Sequence, residues 1–298
     1  MAEQTKVTTL EKVVIRFSGD SGDGMQLTGT IFSNLSAIFG NEISTFPDYP
    51  AEIRAPQGTL GGVSGFQVHI GKGVHTPGDL ADVLVAMNPA ALKTNARYVK
   101  KGGVVIIDSD SFRASDLEKA AFTTDDPIQE AGLSHAQIVP VAITQMVKDS
   151  LADSGLDNKS IVRCKNMFAL GLVCWLFDRP LEQAQHLLKN KFAKKPAIYE
   201  ANAKVMRDGY NYGNNIHASV STYRVESAQV KPGIYTDVNG NTATAWGLIA
   251  ASEKSGLPLF LGSYPITPAT DILHELAKRK DLGAVSYTHL TLPTKLEV

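Results

Sequence analysis

Three short segments of the chain carry residue types and spacings suited to chemistry. The first is Ser18-Gly-Asp-Ser-Gly-Asp-Gly24, which runs directly into a stretch with helical spacing. Glycine lets the backbone approach a ligand, and the unpaired N–H groups of a helix start favour an anion. The spacing Gly-x-x-Gly-x-Gly departs from the dinucleotide fingerprint, and no P-loop lysine follows it. Asp20 and Asp23 would repel a phosphate unless solvent or a cation intervened. Two readings stand for this loop: a phosphate-type ligand held by Gly19, Ser21, Gly22 and Gly24, or a tight turn from strand to helix.

The second segment is Tyr264-Pro-Ile-Thr-Pro268. Proline suits the first helical position, which makes Thr267 a natural N-cap. The same placement suits a ligand carboxylate, because a hydroxyl at the carboxyl end of a parallel strand would lie beside a helix N-terminus. Two bracketing prolines would hold that hydroxyl still. The third segment is Tyr49-Pro-Ala-Glu-Ile-Arg-Ala-Pro56, followed by Gly58 to Gly62. Arg54 has the fork geometry for a carboxylate or phosphate; paired with Glu52, it would instead serve an interface or the plain surface. His69 and His75 stand alone and read as structural. No nucleophile elbow, Ser/His/Asp order or metal-binding His pair occurs.

The elements that must position these segments follow from hydrophobic spacing. Val13 to Phe17 reads as a strand, and Leu27, Ile31, Leu35 and Ile38 recur at helical intervals until Gly40. Ala81 to Met87 is a second strand; a helix from Asn88-Pro89 to Lys100 ends at Gly102-Gly103. Val104 to Asp108 and Ala136 to Ile143 are further strands. Apolar runs separated by helices predict a doubly wound α/β domain with a mostly parallel sheet. Val63 to Ile70 alternates with a period of two, and the Pro/Gly-rich stretch Phe46 to Gly62 is long enough to be functional or an interface. Helices are expected over 161–177, 180–192 and 196–209, then a polar linker over 211–232. A new α/β unit starts near Gly233, with a helix at Thr242–Ser255, a strand at Leu257–Gly262 and a helix from Pro268 to Lys280.

Composition narrows the function. With 29 Lys+Arg against 30 Asp+Glu, there is no basic excess to favour nucleic acid or a membrane surface. Met1 to Lys12 lacks the apolar core of a signal peptide. The apolar run Ala169 to Phe177 is about half the roughly 20 residues of a membrane span, so a cytoplasmic protein is expected. Cys164 and Cys174 fit no zinc or iron–sulfur spacing. They read as buried free thiols, with any metal cluster on another chain.

Taken together, the motifs resemble those of 2-oxoacid:ferredoxin oxidoreductases. Phe17 to Met25, Tyr49 to Pro56 with Gly61-Gly-Val-Ser-Gly-Phe66, Thr76-Pro-Gly-Asp79 and Val83 to Pro89 are similar to the γ domain of that family. Ser263 to Pro268 is similar to the pyrimidine-domain motif of its α subunit. A γ domain fused ahead of an α subunit most resembles the 2-oxoglutarate enzymes. The resemblance implies a 2-oxoacid oxidatively decarboxylated to acyl-CoA and CO2, succinyl-CoA for 2-oxoglutarate, with electrons passed to ferredoxin. It implies thiamine diphosphate, Mg2+ and a 4Fe-4S cluster held mainly on a partner β subunit, and coenzyme A as co-substrate, with none held by this chain alone. Thr267 would donate a hydrogen bond to the 2-oxoacid, with Tyr264 and Pro265 shaping the pocket. Contacts to coenzyme A or partner subunits are expected for the γ domain.

The implied layout is a polar tail at 1–10, the γ-type domain at 11–222, a linker at 223–232 and an incomplete pyrimidine-binding α/β domain at 233–285. The last residues, SYTHLTLPTKLEV, show no acidic cluster and no helical or strand continuity, and are expected to be a foreign tail at 286–298, with a genuine but divergent tail as the alternative. The family's catalytic glutamate would lie beyond Val285, so no catalytic residue is expected within the chain, and the chain is expected to be inactive alone. The alternatives are pyruvate or a branched-chain 2-oxoacid as substrate, or a stand-alone γ-like binding or assembly module.

Overall fold

The computed structural model describes residues 7–50, 52, 55–216, 222–228, 230–263, 266–279, 281 and 285–289. It divides into two compact units, Met1–Lys231 and Pro232–Val298.

The strands of the first unit are β1 (Val7–Leu10), β2 (Lys12–Asp20), β3 (Glu42–Asp48), β4 (Val63–Gly71), β5 (Ala81–Ala86), β6 (Val99–Asp108), β7 (Gln137–Val141) and β8 (Thr222–Val225). Its helices are α1 (Met25–Ile38), α2 (Pro89–Asn95), α3 (Ala114–Lys119), α4 (Pro127–Glu130), α5 (Ile143–Ser150), α6 (Asn158–Val162), α7 (Lys165–Leu176), α8 (Leu181–Lys191) and α9 (Pro196–Ile216). Six strands form one sheet in the order β3-β4-β2-β5-β6-β7. The pairings β2–β5, β5–β6 and β6–β7 are parallel, and β4 runs antiparallel to both β2 and β3.

Strand parity sorts the sheet into two apolar layers. Ile15, Phe17, Val68, Val83, Val85 and Ile106 face one way and pack with Phe32 and Leu35 of α1, Phe168 and Leu172 of α7, and Val205 of α9. Phe17, Phe32 and Phe177 form an edge-to-face chain with centroids 6.0 and 6.1 Å apart. Leu84, Val105 and Ile107 face the other way, onto Leu92 of α2 and Leu117 of α3. The doubly wound, mostly parallel α/β sheet is therefore present.

Several elements differ from the sequence-based expectation. α2 stops at Asn95, a 3-10 turn covers Ala96–Tyr98, and β6 already begins at Val99. Gly102 and Gly103 thus lie inside a strand, at an irregularity where the register against β5 shifts. They do not end a helix. The stretch 161–177 is broken between α6 and α7, because Asp157 caps a short separate helix by accepting from Ser160 N. α9 runs seven residues past 209, since Tyr212 packs on the Phe168 ring at 5.9 Å, and β8 then pairs in parallel with β1. Much of the stretch expected as linker is regular structure.

The second unit comprises α10 (Gly240–Ser255), β9 (Leu259–Ser263), α11 (Thr270–Lys278) and β10 (Val285–His289). Asn239 caps α10 by accepting from Thr242 N, and Gly256 ends it in the left-handed region. β10 pairs in parallel with β9 from Val285↔Leu259 to His289↔Ser263. This corrects one expectation, since Ser286 to His289 do have strand continuity, and it gives β9 a parallel neighbour. Tyr and Thr in that stretch are good strand formers once a partner edge supplies the register. Among the described residues, no helix is long and apolar enough to cross a membrane.

Candidate functional site

Parallel strands β2, β5 and β6 end together, and their carboxyl edge gathers one cluster of polar residues of the first unit. β2 ends at Asp20, and the glycine loop turns back on itself before α1. Asp20 N donates to Asp23 Oδ2 at 2.9 Å, Asp23 N to Asp20 O at 3.0 Å, and Ser21 N to Gly62 O at 3.0 Å. Gly19 is still within β2, paired with Ser64 of β4, and Ser21, Gly22 and Gly24 lie in the turn that follows. Gly24 has φ +80°, and a Cβ there would fall on the Asn166 side chain, whose amide donates to Gly24 O at 3.3 Å. Conformation and crowding both call for glycine.

The two aspartates face inward. Asp23 closes the turn, and Asp20 Oδ2 accepts from Gly58 N at 2.9 Å, tying the 55–62 loop to the glycine loop. Asp20 Oδ1 is buried with no hydrogen-bond partner among the described residues. Burial and then the neighbouring Asp23 charge push the Asp20 pKa up, partly offset by the Asn88 side chain, the Gly58 N–H and Lys165. α1 has no side-chain cap and no acidic residue in its first turn, so its leading N–H groups are not spent on its own side chains.

Next along the edge, Asn88 caps α2 by accepting from Ala91 N at 2.8 Å. Asp108, fully buried at the end of β6, accepts from Thr144 Oγ1 at 2.6 Å, Thr144 N at 3.1 Å and Ser111 Oγ at 3.0 Å. The Lys165 ammonium lies 3.5 Å from its Oδ2, largely buried at the start of α7. The edge therefore combines an uncapped helix start with a fixed cation, which suits an anionic ligand. Neither cysteine is an activated nucleophile: burial pushes the Cys164 thiol up to about 11 and Cys174 up to about 12.

Behind the edge, Gln26 Nε2 donates to Gly65 O at 2.7 Å and Asp48 O at 3.1 Å, and Glu52 N donates to Gly61 O at 3.2 Å. These bonds close the base of the third segment. Arg54 lies outside the described residues. So do Tyr264 and Pro265.

Thr267 is exposed in a turn of the second unit, and the Thr267–Pro268 peptide is cis. It is not a helix N-cap. Thr270 N donates to Ile266 O at 3.0 Å and Asp271 N to Pro268 O at 3.2 Å, so a full turn precedes α11 and its N-cap is Ala269. Asn241 Nδ2 donates to Pro268 O at 3.0 Å, tying this turn to the start of α10. His69 is buried with Nδ1 2.6 Å from Thr76 O, a structural contact.

Sequence reasoning missed Asn88, Asp108, Lys165 and Asn166. The available signal was polarity at the ends of apolar runs: Asp108 closes Val104–Asp108, and Lys165-Asn166 opens the buried run of α7.

Residues 14–212 match the sequence family described as pyruvate ferredoxin/flavodoxin oxidoreductase. The 2-oxoglutarate oxidoreductase subunit KorA of Mycobacterium tuberculosis is 49% identical over 279 residues, which cover 93% of this chain and 43% of that protein. A solved 2-oxoglutarate:ferredoxin oxidoreductase from Magnetococcus marinus, with 2-oxoglutarate, coenzyme A and succinyl-CoA bound, shares the fold at a TM-score of 0.69 and 24% identity. That match covers 94% of this chain and 43% of the solved one, so the chain spans less than half the length of these relatives. With the matched segment taking in the whole carboxyl edge of the sheet, the chain belongs to the pyruvate ferredoxin/flavodoxin oxidoreductase family.

Proposed function

We propose that this chain is part of an enzyme that oxidatively decarboxylates 2-oxoglutarate to succinyl-CoA and CO2, reducing ferredoxin. The observation that carries this reading is the 49% identity to a 2-oxoglutarate oxidoreductase subunit over 93% of the chain, a length that takes in residues of both units. In this reading residues 11–222 are the γ-type domain, 223–232 the connection and 233–285 the opening of a pyrimidine-binding domain. A partner β subunit holds the diphosphate end of thiamine diphosphate, Mg2+ and the 4Fe-4S cluster. Thiamine diphosphate, when bound, supplies the electron sink for decarboxylation.

This chain's own residues bind and orient. The start of α1, with Gly19, Ser21, Gly22 and Gly24, receives an anionic part of coenzyme A, and Lys165 supplies the balancing charge. Asp20 and Asp23 hold the loop closed while their carboxylates stay turned away from that anion. Arg54 contributes a second cation to the same ligand. Thr267 donates a hydrogen bond to the 2-oxoacid, and Tyr264 and Pro265 shape its pocket.

The test is coenzyme A-dependent reduction of ferredoxin by the full-length gene product assembled with its β subunit. 2-Oxoglutarate should give the highest kcat/KM among 2-oxoacids. The match to a family described by pyruvate favours pyruvate as the second reading. Preference for pyruvate would establish that reading, and reduction without coenzyme A would remove the acyl-CoA product.

A further inference from the structure

β2 carries a second polar site on the sheet face opposite the Phe17 core. Arg16 is 6% exposed, and burying a guanidinium is costly unless its donors are used. Its Nε donates to Asn95 Oδ1 at 2.5 Å, one terminal nitrogen to Gln67 Oε1 at 3.1 Å and the other to Asp48 Oδ2 at 2.5 Å. Gln67 in turn donates to Pro77 O at 2.8 Å and Gly78 O at 2.6 Å, which pins the strap of residues 76–80 against the sheet. The network satisfies itself and forms a fixed floor.

Above that floor lies a cavity of about 830 Å³, which shares no lining residue with the glycine loop. Its size is within the range of small-molecule sites, roughly 300–1,000 Å³. Phe46 and Leu80 line it and are 49% and 47% exposed, apolar surface that water covers poorly. At its mouth the Tyr98 ring lies 4.7 Å from the Arg97 guanidinium and 5.4 Å from that of Arg16. Stacking on a ring holds a guanidinium in place without using its N–H edge. Arg97 is exposed and makes no salt bridge among the described residues. A positioned fork of donors thus stands at the entrance of a half-apolar cavity. Asp48 is neutralised by Arg16, while Asp79 on the strap also lines the cavity and disfavours a doubly charged ligand.

We infer that this cavity is a binding site for an organic monocarboxylate, its carboxylate on Arg97 and its flat or aliphatic body against Phe46 and Leu80. The inference does not rest on the proposed enzymatic reaction. The probes are 2-naphthoate and 2-naphthyl phosphate, which share one body and differ in head group, titrated calorimetrically into the full chain. The expected result is one saturable 2-naphthoate site per chain. Arg97→Ala should weaken it about tenfold or more, the worth of a charge-assisted hydrogen bond. Leu80→Asp should weaken it similarly, and Lys165→Met should leave it unchanged. Both cavity variants are at exposed positions, and Thr94→Trp, which fills the cavity from the end of α2, gives a third reading if either fails to fold. Absence of a 2-naphthoate site, an affinity indifferent to the cavity variants, or loss of binding in Lys165→Met would overturn the inference. Tighter binding of 2-naphthyl phosphate than of 2-naphthoate would overturn the monocarboxylate assignment.

Discussion

Two of the strand-to-helix junctions, β2–α1 and β9–α11, are built in different ways. At β2–α1 the strand is buried almost throughout, the turn is bonded to the 55–62 loop, and α1 packs on β4, α7 and α8. At β9–α11 the strand alternates between half-buried and exposed, and among the described residues the buried cluster of the unit is Ala245, Ile249 and Leu276, with Leu273 also buried. Motif alone therefore does not fix a rigid site; the layers behind the turn do. Local opening free energy follows the buried apolar contacts of a segment, so the two junctions should differ in protection as well as in packing.

The largest expected effect comes from the core behind the glycine loop. Phe32→Ala should cost the first unit about 3–5 kcal/mol, read as a drop in its denaturant midpoint. Leu276→Ala should leave that transition in place and shift only the signal from the second unit, for example Trp246 fluorescence. Limited proteolysis checks the same contrast: residues 11–222 should resist where 230–298 is cut. Equal resistance of the two parts would break the comparison.

Next is Gly24→Ala. A left-handed φ for alanine costs about 1–2 kcal/mol, and crowding against Asn166 adds about 1–3 kcal/mol. Replacing Asn166 with alanine in the same chain should recover the crowding part and not the conformational part. Full recovery would mean that the backbone at Gly24 can relax, and that the loop is less fixed than its hydrogen bonds indicate.

Lys165→Met sharpens what the encased edge is for. The buried Asp108 keeps three hydrogen bonds without Lys165, so the chain should stay folded. Its affinity for coenzyme A should fall about tenfold to a hundredfold, the worth of one charge-assisted contact. Unchanged affinity would remove Lys165 from the ligand site.

Much of the scaffold was legible in the residues, and the limits have physical causes. Val13, Ile15 and Phe17 announce the core face of β2, and Leu27, Ile31 and Leu35 announce α1, because each pattern is local. The direction of β4 was not legible, since a period of two is the same for parallel and antiparallel neighbours. β3 was hidden by its polar edge composition, and β10 by a sequence that reads as a strand only beside β9. The glycine turn could be located from spacing, but Lys165 and Asn166 reach it from about 140 residues away, and only the tertiary fold brings them there.

Asp20 tests how dry the encased turn is. Its folded pKa is raised above the ordinary 3.8 by burial and Asp23, so the folded state holds its proton more tightly than the unfolded chain does. The associated stabilisation is fully present below 3.8 and is lost as pH rises from 3.8 through the folded value. Wild type should therefore lose stability relative to Asp20→Asn across that window, measured by paired denaturant midpoints in a pH series. A difference that does not vary with pH would show that Asp20 is solvated.

The smallest expected change in stability is at Thr267, and there the comparison is most exposed to refutation. The residue lies in an exposed turn and does not cap α11, so Thr267→Val should alter stability by no more than about 0.5 kcal/mol. If the hydroxyl donates to the 2-oxoacid, the full-length enzyme assembled with its β subunit should nonetheless lose about tenfold in kcat/KM. Thr267→Ser should retain most of the activity, because it keeps the hydroxyl and removes only the methyl group. A valine variant as active as wild type would remove the Thr267 hydroxyl from the substrate site. A valine variant that unfolds the second unit would show that this turn is held as firmly as its counterpart, and would erase the contrast between the two junctions.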